Sequence, residues 1–280
     1  MKKTIFSVIA LAVLCISGAC NKIEEDDYLI YAGSSGEWVD GKPVSNHQKC
    51  VLLEKYTAVK CTNCPAADEL ISGLQATYGE QLVVYAIHAT SMAAPFQDTL
   101  DMRTPDGDIW DEAFGVQALP KAMVNRKSQD GQFIQLAPAE MSNSVENALA
   151  EEPVLAMSMK SDYNAENRRI NITASLEFLK DVSDSLHLTM VLMEDSLVGK
   201  QLLNSGWVDG YVFNHVLRDV ITDIWGLGVK AKGQAGECRE ITLRYILPKK
   251  CKPQNCHVVA FVSKQADKEI LQCAETDVTK

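Results

Sequence analysis

The stretch that decides the fold is VLLEKYTAVKCTNCPAADELISGLQATYGEQLVVYAIH, residues 51–88. It opens with an apolar run, Val51–Tyr56, that suits a strand. After a short turn it continues into Pro65–Tyr78, whose apolar residues recur on one helical face. A second run of β-formers, Leu82–Ile87, then suits a buried parallel strand reached through a crossover helix. The sequence therefore predicts a strand–helix–strand unit.

Two cysteines separated by two residues, Cys61 and Cys64, fall at the turn between the first strand and the helix. The start of a helix presents unpaired amide groups and a partial positive charge, which lower the pKa of a nearby thiol and favour the reactive thiolate. Cys61 is therefore the predicted nucleophile and Cys64 the resolving thiol, with Lys60 adding positive charge nearby. Pro65 fits the first helical turn because its missing amide donor has no helical partner there.

Two other interpretations of this cysteine pair stay open. The pair can be a purely structural bridge, although so short a loop gains little closure entropy. It can also be half of a metal site, but zinc normally needs a second cysteine pair or histidines at ligand spacing. Cys251, Cys256 and His257 offer such groups only in a different predicted domain, so we predict no metal and no cofactor.

The first residues predict export and a lipid anchor. Residues 1–19 read as a signal peptide, with two lysines before an apolar stretch that is too short to span a membrane. Small residues stand directly before Cys20, which resembles a bacterial lipobox and predicts lipidation of Cys20. Residues 20–46 then read as an acidic tether. Its four consecutive acids, 24–27, resemble the surface-export signal of lipoproteins in certain anaerobic Gram-negative bacteria.

The net charge of the chain limits the classes of partner that it can bind. The formal net charge is -10, from 27 basic and 37 acidic residues, and so acidic a chain does not attract nucleic acid. The predicted location is the outer membrane, lipid-anchored and exposed at the cell surface, with the periplasmic face as the alternative. The predicted partners are the outer membrane itself, through the Cys20 lipid, and cell-envelope or surface proteins.

The other cysteines predict structural disulfides. Nine cysteines are present; the signal peptide removes one and the lipid occupies another, so the seven that remain leave at least one thiol unpaired within the chain. Cys251 and Cys256 suit a bridge that closes a hairpin loop, and Cys238 can pair with Cys273 across neighbouring strands. On that pairing Cys50 is the odd thiol, although connectivity cannot be read from sequence.

Beyond Pro153 the pattern changes to short strands. Apolar and polar residues alternate at period two, and turn residues separate the runs, which is typical of an antiparallel sandwich. The predicted strands are 154–159, 169–178, 186–193, 241–247 and 258–262. One stretch, 212–224, also suits a helix, so its assignment stays open. Before Pro153, residues 90–112 read as an insertion and 138–151 as a helix.

Two segments together resemble the thioredoxin fold. They are the run Cys61–Pro65 after an apolar strand, and Ala118-Leu119-Pro120 before the strand 122–125. The resemblance implies a cis peptide bond before Pro120. The cis form has a higher free energy than the trans form and is uncommon in folded proteins. It also implies that Leu119 and Pro120 contact the backbone of a substrate peptide.

The same resemblance raises the question of which groups assist the thiols. Thioredoxins carry a buried carboxylate that assists proton transfer, and Glu54 is the nearest acid here, provided that strand alternation turns it inward. His88 ends a predicted strand, where functional residues of open α/β sheets gather, although a half-buried, hydrogen-bonded histidine is the commoner arrangement. Lys60 and Pro65 depart from the residues usual in thioredoxins at those positions.

The chain also resembles, over nearly its whole mature length, the family named for outer membrane protein 28. Its lipoproteins pair a thioredoxin-like domain with an immunoglobulin-like one. The matching stretches are Glu54–Thr57, Cys61–Pro65, Ala86–His88 and Asn214–Arg218. The resemblance implies an α/β thioredoxin-like domain at 47–152 followed by an all-β immunoglobulin-like sandwich at 153–280.

Two functions follow from these observations. In the first, the protein is a thiol–disulfide oxidoreductase that acts on cell-envelope proteins: the Cys61 thiolate forms a mixed disulfide, which Cys64 resolves. In the second, the protein is a surface adhesin or receptor, the cysteine pair is structural, and the sandwich makes the contacts. Fold alone does not choose between them.

Overall fold

The computed structural model describes residues 36–96 and 99–279. The predicted signal peptide 1–19, the lipidation site Cys20 and the first part of the tether lie outside the described residues. Three α-helices are present in the described part: α1 (Cys64–Tyr78), α2 (Pro105–Phe114) and α3 (Pro138–Leu149). The strands are β1 (Val39–Asp40), β2 (Val51–Thr57), β3 (Leu82–His88), β4 (Lys121–Val124), β5 (Ser128–Gln129), β6 (Gln132–Phe133), β7 (Leu155–Asn164), β8 (Arg169–Phe178), β9 (Leu186–Glu194), β10 (Leu197–Leu203), β11 (Gly206–Phe213), β12 (Val216–Val220), β13 (Leu227–Gly228), β14 (Cys238–Ile246), β15 (Cys256–Lys264) and β16 (Ile270–Asp277).

The predicted strand–helix–strand unit is confirmed. β2 and β3 pair in parallel from Val51↔Leu82 to Thr57↔His88, and α1 crosses between them. The helix begins at Cys64, directly before Pro65, and its buried face includes Ile71 and Leu74. Both strands are buried along their whole length, as expected for a parallel pair that is covered on both faces.

The predicted fold class is wrong. A self-contained α/β thioredoxin-like domain followed by an all-β immunoglobulin-like sandwich requires two separate sheets. Instead, one mixed sheet runs in the order β16-β15-β9-β12-β3-β2-β4. β12 pairs in parallel with β3 through Val216↔Ala86 and antiparallel with β9. Among the described residues strand makes up 43% and helix 19%, so the protein is mostly β.

The cause of this error is the stretch 212–224, whose spacing also suits a helix. Most of it forms the end of β11 and all of β12, and β12 joins the large sheet by pairing with β3, about 130 residues earlier in the chain. Local periodicity identifies a strand but does not identify the strand beside it. The predicted division of the chain at residues 152 and 153 stays a prediction; Pro153 lies between α3 and β7, and strands on both sides of it share the large sheet.

A second sheet, of four antiparallel strands in the order β1-β14-β8-β7, packs on the β9 and β15 part of the large sheet. Residues such as Ile172 and Leu243 from the small sheet meet Met190 and Ala260 from the large one in a single core. The described end of the predicted tether takes part, because Trp38 is buried in this core and β1 pairs with β14.

Helices cover the rest of the large sheet. α1 and α3 pack on one face of β2, β3 and β4, in a core that includes Ile71, Val84 and Met141. α2, which forms inside the predicted insertion, packs on the other face through Trp110 and Phe114. In the part of the chain that the structure describes, none of the helices is long and apolar enough to cross a membrane.

The β10–β11 hairpin is a feature that the sequence did not predict. It forms its own two-stranded sheet, from Leu197↔Phe213 to Leu203↔Gly206, inserted between β9 and β12. Two short hinges connect it to the large sheet, Asp195-Ser196 and Asn214-His215. We call residues 197–213 the cover hairpin, because it folds over the cysteine pair.

Candidate functional site

Cys61 and Cys64 form a disulfide at the junction of β2 and α1, with Cα atoms 5.4 Å apart. Two consecutive turns bring the sulfurs together: the Cys61 amide donates to the Ala58 carbonyl over 3.1 Å, and the Cys64 amide donates to the Cys61 carbonyl over 3.2 Å. Cys64 is the first residue of α1. The pair therefore lies at a helix N-terminus, as the spacing predicts. We call this bond the first disulfide.

Leu119 and Pro120 lie beside the first disulfide. Leu119 packs against the apolar cluster formed by Ala58, Ala93 and the two cysteines. The Leu119–Pro120 peptide bond is cis, as the resemblance implied, and Pro120 is buried directly before β4. The structure thus brings together four of the residues that the sequence places in one site.

The cover hairpin closes this site. The Gln201 side-chain amide donates from Nε2 to the Cys61 carbonyl over 3.0 Å, and the Leu202 amide donates to the Val59 carbonyl over 2.8 Å. At the hairpin tip, Trp207 stacks on Phe96 with ring centroids 4.4 Å apart. With the hairpin in this position Cys61 is only 2% and Cys64 only 1% exposed, and neither sulfur is accessible to a protein substrate in this conformation.

Lys55 on β2 and Asp68 on α1 form an ion pair between the strand and the helix that carries Cys64. Lys55 is buried on β2, its Nζ contacts Asp68 Oδ1 on α1, and Tyr211 of the cover hairpin donates from its hydroxyl to Asp68 Oδ2 over 3.2 Å. Burial lowers the pKa of Lys55 to about 7, while the carboxylate beside it favours the charged form. Lys55 and Asp68 also line a cavity of about 40 Å³.

Glu54 points to the opposite face of the sheet from α1. Its carboxylate accepts three hydrogen bonds from Arg126, Nε to Oε2 over 2.8 Å, Nε to Oε1 over 3.1 Å and Nη2 to Oε1 over 2.7 Å. It also accepts one from the Tyr85 hydroxyl. The Arg126 guanidinium lies against the rings of Trp110, Phe114 and Phe261 at 4.8 to 4.9 Å. Strand alternation therefore places Lys55, and not Glu54, on the α1 side.

His88 is fully buried at the end of β3, with 2% exposure. Its ring meets Phe213 of the cover hairpin edge-on at 5.6 Å, and neither ring nitrogen has a hydrogen-bond partner among the described residues. Burial, assisted by the positive charges of Lys55 and Arg218, lowers the pKa of His88 to about 3, so the ring is neutral. Lys60 is partly exposed in the turn, and its amide donates to the Met92 carbonyl over 3.2 Å.

Of the two cysteine pairings that the sequence suggested, one is contradicted by the positions of the residues and the other stays a prediction. Cys238 lies on β14 of the small sheet and Cys273 on β16 of the large sheet, so the two do not face each other, and both are free. Cys273 lies near Cys50, whose charge contributes after burial to raising the pKa of the Cys273 thiol. Cys251 and Cys256 are close together, buried and unbonded.

Sequence reasoning missed the residues of the site that come from distant segments. Gln201 and Tyr211 lie about 140 residues beyond the cysteine pair, and no local pattern connects them with it. Asp68 could have been found, because it follows Cys64 by four residues and so lies on the same face of α1, one turn further along.

The fold and the site together define a class: a mostly β protein in which a helix on a mixed sheet carries a disulfide-bonded Cys-X-X-Cys turn. The family profile described as outer membrane protein Omp28 matches residues 108–280, and the chain belongs to this family. The matched part includes Leu119, Pro120 and the cover hairpin and begins after the first disulfide. Membership supports an outer-membrane location.

Solved structures of similar shape exist. HBP35 of Porphyromonas gingivalis aligns with a TM-score of 0.66 and 20% identity, over 84% of this chain and 77% of that one. A structural-genomics protein from Agrobacterium tumefaciens aligns with a TM-score of 0.53 and 13% identity, over 84% and 97%. These two likenesses concern the fold alone. A domain of the outer membrane lipoprotein Omp28 from P. gingivalis aligns over 46% of this chain and 90% of that one, with 16% identity and a TM-score of only 0.32. No curated protein matches the chain significantly.

Proposed function

We propose that this protein is a lipid-anchored outer-membrane protein whose first disulfide exchanges with thiols of cell-envelope proteins. The observation that carries the proposal is the position of Cys61 and Cys64 at the N-terminus of α1, next to Leu119 and the buried Pro120. Amide groups at a helix N-terminus stabilise a thiolate there, which is the species that thiol–disulfide exchange needs.

The proposed thiol–disulfide exchange takes place in two steps. A substrate thiolate attacks the Cys61 sulfur, the first disulfide breaks, and Cys64 leaves as a thiolate that the helix N-terminus stabilises. A second substrate thiol then attacks the mixed disulfide, so the substrate gains a disulfide and both cysteines become thiols. Run in reverse, the reduced pair opens a substrate disulfide, with Cys61 attacking and Cys64 resolving.

The cover hairpin must move for either direction. Both cysteines are buried, and a substrate protein needs access to the Cys61 sulfur while Gln201 of the hairpin is bonded to the backbone of the same residue. Local openings of this kind cost less free energy than global unfolding. Among the described residues the hairpin is held over the turn by two hydrogen bonds, the Tyr211 contact, one ring stack, and the packing of Leu197 and Phe213 on Val59. A local opening breaks these contacts and leaves the large cores intact.

A second candidate function is favoured by the same burial. If the hairpin does not open, the first disulfide is structural and the protein is a surface adhesin or receptor that binds through other faces. The surface location is part of this proposal too, and the acidic run 24–27 is its support.

A trapping experiment separates the two functions. Cys64→Ala leaves Cys61 without its resolving thiol, so mixed disulfides with envelope proteins should accumulate and should disappear on reduction. Cys61→Ala is the matched control and should trap nothing. Capture of partners by neither variant, under redox conditions that keep the wild-type pair partly reduced, would leave only the binding-module function.

A further inference from the structure

Two more thiols lie together at the foot of the cover hairpin. The sulfurs of Cys251 and Cys256 and a carboxylate oxygen of Glu194 all lie within 4.8 Å of one another, and all three residues are buried. Cys256 faces Glu194 directly across the β15–β9 pair. The backbone of the loop is fixed around them, because Arg168 donates from Nη2 to the Cys251 carbonyl over 2.7 Å.

Glu194 links these thiols to the hairpin. It is the last residue of β9, and the hinge Asp195-Ser196 follows it. Its Oε1 accepts the amide of Lys252, in the thiol loop, over 2.8 Å. The Asp195 amide in turn donates to the Asn255 carbonyl of the same loop over 2.8 Å. The loop between the two cysteines therefore holds the end of β9 at Glu194 and the first hinge at Asp195.

The second hinge is attached at the same place. Asn214 and His215 are tied to the first hinge, since the Ser196 amide donates to Asn214 Oδ1 over 2.9 Å and the His215 amide to Asp195 Oδ1 over 2.6 Å. Ser196 and His215 both have left-handed backbone conformations, with φ of 57° and 60°. Such conformations are costly for residues other than glycine and persist only where the surroundings hold them.

We propose that Cys251 and Cys256 form a second disulfide, and that this bond holds the foot of the cover hairpin closed over the first disulfide. The proposal does not depend on exchange between the first disulfide and other proteins. It concerns the covalent state of the loop 248–256 and the access that the hairpin allows.

The pKa values of the two thiols shift in opposite directions, and disulfide formation begins with one thiol of lowered pKa. A hydrogen bond from Cys256 lowers the pKa of Cys251, with a smaller contribution from the Arg218 guanidinium, and the same hydrogen bond raises the pKa of Cys256. Cys251 is thus the attacking thiolate. It attacks a small-molecule disulfide, releasing one thiol; Cys256 then attacks Cys251 and releases the second. Two electrons pass from the cysteines to the small disulfide, and its two thiols take the two protons.

A metal ion is the other possible ligand for two thiols and a carboxylate. Arg218 argues against it, because its Nε lies 3.2 Å from Glu194 Oε2 with both side chains almost fully buried. The guanidinium already neutralises the carboxylate, and a bound cation would lie next to a buried positive charge. Oxidation of the thiols meets no such opposition.

Peptide mapping of the exported wild-type protein tests the bond directly. Free thiols are alkylated under denaturing conditions, and the protein is digested with trypsin, which leaves both cysteines in the peptide 251–264. We expect this peptide to be unalkylated and two hydrogens lighter than its reduced form, and to take two alkyl groups after reduction. Two alkylated thiols without prior reduction, or one zinc ion per chain measured by elemental mass spectrometry, would overturn the proposal.

Reduction kinetics test the link to the hairpin. In the double variant Cys251→Ala/Cys256→Ala, the first disulfide should be reduced by dithiothreitol several-fold faster than in the wild type. Cys238→Ala, which removes a free thiol from the other sheet, is the control and should keep the wild-type rate. An equal rate in the double variant and the wild type, with both folded by circular dichroism, would disprove the control of the hairpin by this bond.

Discussion

Gln201 donates a hydrogen bond from its side-chain Nε2 to the backbone carbonyl of Cys61, over 3.0 Å. Gln201 itself is 2% exposed, so the bond is shielded from water. It joins the cover hairpin to the turn that carries the first disulfide, across 140 positions of sequence. The hairpin is therefore part of the site, and its stability sets how often the disulfide is accessible.

The Gln201 bond predicts the reduction rate of the first disulfide. Gln201→Ala removes this donor and leaves the Cys61 carbonyl with the Cys64 amide alone, which costs about 1 kcal/mol and increases the open population roughly fivefold. We expect dithiothreitol to reduce the first disulfide faster by a similar factor. The measurement is timed quenching with an alkylating reagent that adds mass, followed by mass spectrometry.

Val198→Ala is the matched control for this prediction. Val198 lies on the same hairpin, but the residue is 62% exposed, so its side chain makes little contact with the rest of the protein. Its substitution should leave the reduction rate close to that of the wild type. Equal acceleration by both variants would mean that the hairpin loosens as a whole, and no acceleration by either would mean that reduction does not require the hairpin to open.

The ion pair between Glu54 and Arg126 predicts a large effect on stability. Arg126→Met leaves the Glu54 carboxylate buried without its partner, which typically costs about 3–5 kcal/mol. Arg103→Met removes an exposed pair with Asp101 and should cost less than about 1 kcal/mol. Urea unfolding of both variants measures the difference. A loss at Arg126 no greater than at Arg103 would contradict the prediction that the buried pair stabilises the fold more than the exposed one.

Much of the local structure could be predicted from sequence. The helix α1, the strands β2, β3 and β8, and the turn between β2 and α1 follow from periodicity and from cysteine and proline positions, and they lie close to where the sequence predicts them. The arrangement of the sheets could not be predicted in this way. β12 is a short strand whose spacing also suits a helix, and its insertion between β3 and β9 depends on contacts between distant parts of the chain.

In the candidate site, too, the residues in local motifs could be predicted and those from distant segments could not. Cys61, Cys64, Leu119 and Pro120 could be placed together from motifs and a resemblance. The sequence left open which face of the sheet carries the Glu54 side chain. In the structure it lies on the face opposite α1, where it pairs with Arg126. No local motif predicts the cover hairpin, because nothing in residues 197–213 indicates which part of the molecule they fold onto.

Lipidation of Cys20 stays a prediction, because this residue lies outside the described part of the chain. Cys20→Ala should release the protein from the membrane fraction or stall removal of the signal peptide. Metabolic labelling with a fatty acid should mark the wild type and not this variant, whereas Cys50→Ala should be labelled normally. Normal processing, membrane fractionation and labelling of Cys20→Ala would disprove the anchor.

The buried histidine at the end of β3 predicts a pH dependence of stability. Burial lowers the pKa of His88 to about 3, from 6.5 in an unstructured chain. Between these values the unfolded chain binds a proton that the folded protein does not, so the free energy of unfolding falls as the pH falls. The loss begins near pH 6.5 and reaches roughly 2 kcal/mol at about pH 5.

Comparison of variants isolates the contribution of His88. His88→Leu removes the titrating group and two buried ring nitrogens that have no hydrogen-bond partner in the described part of the chain. Its unfolding free energy should therefore fall less between about pH 7 and pH 5 than that of the wild type. His257 has the opposite sign, since hydrogen bonding to Glu275 raises its pKa and it stabilises the fold as the pH falls. It is present in both proteins and cancels in their difference. If urea unfolding at the two pH values gives the same loss for His88→Leu as for the wild type, His88 is protonated in the folded protein and its surroundings stabilise that charge.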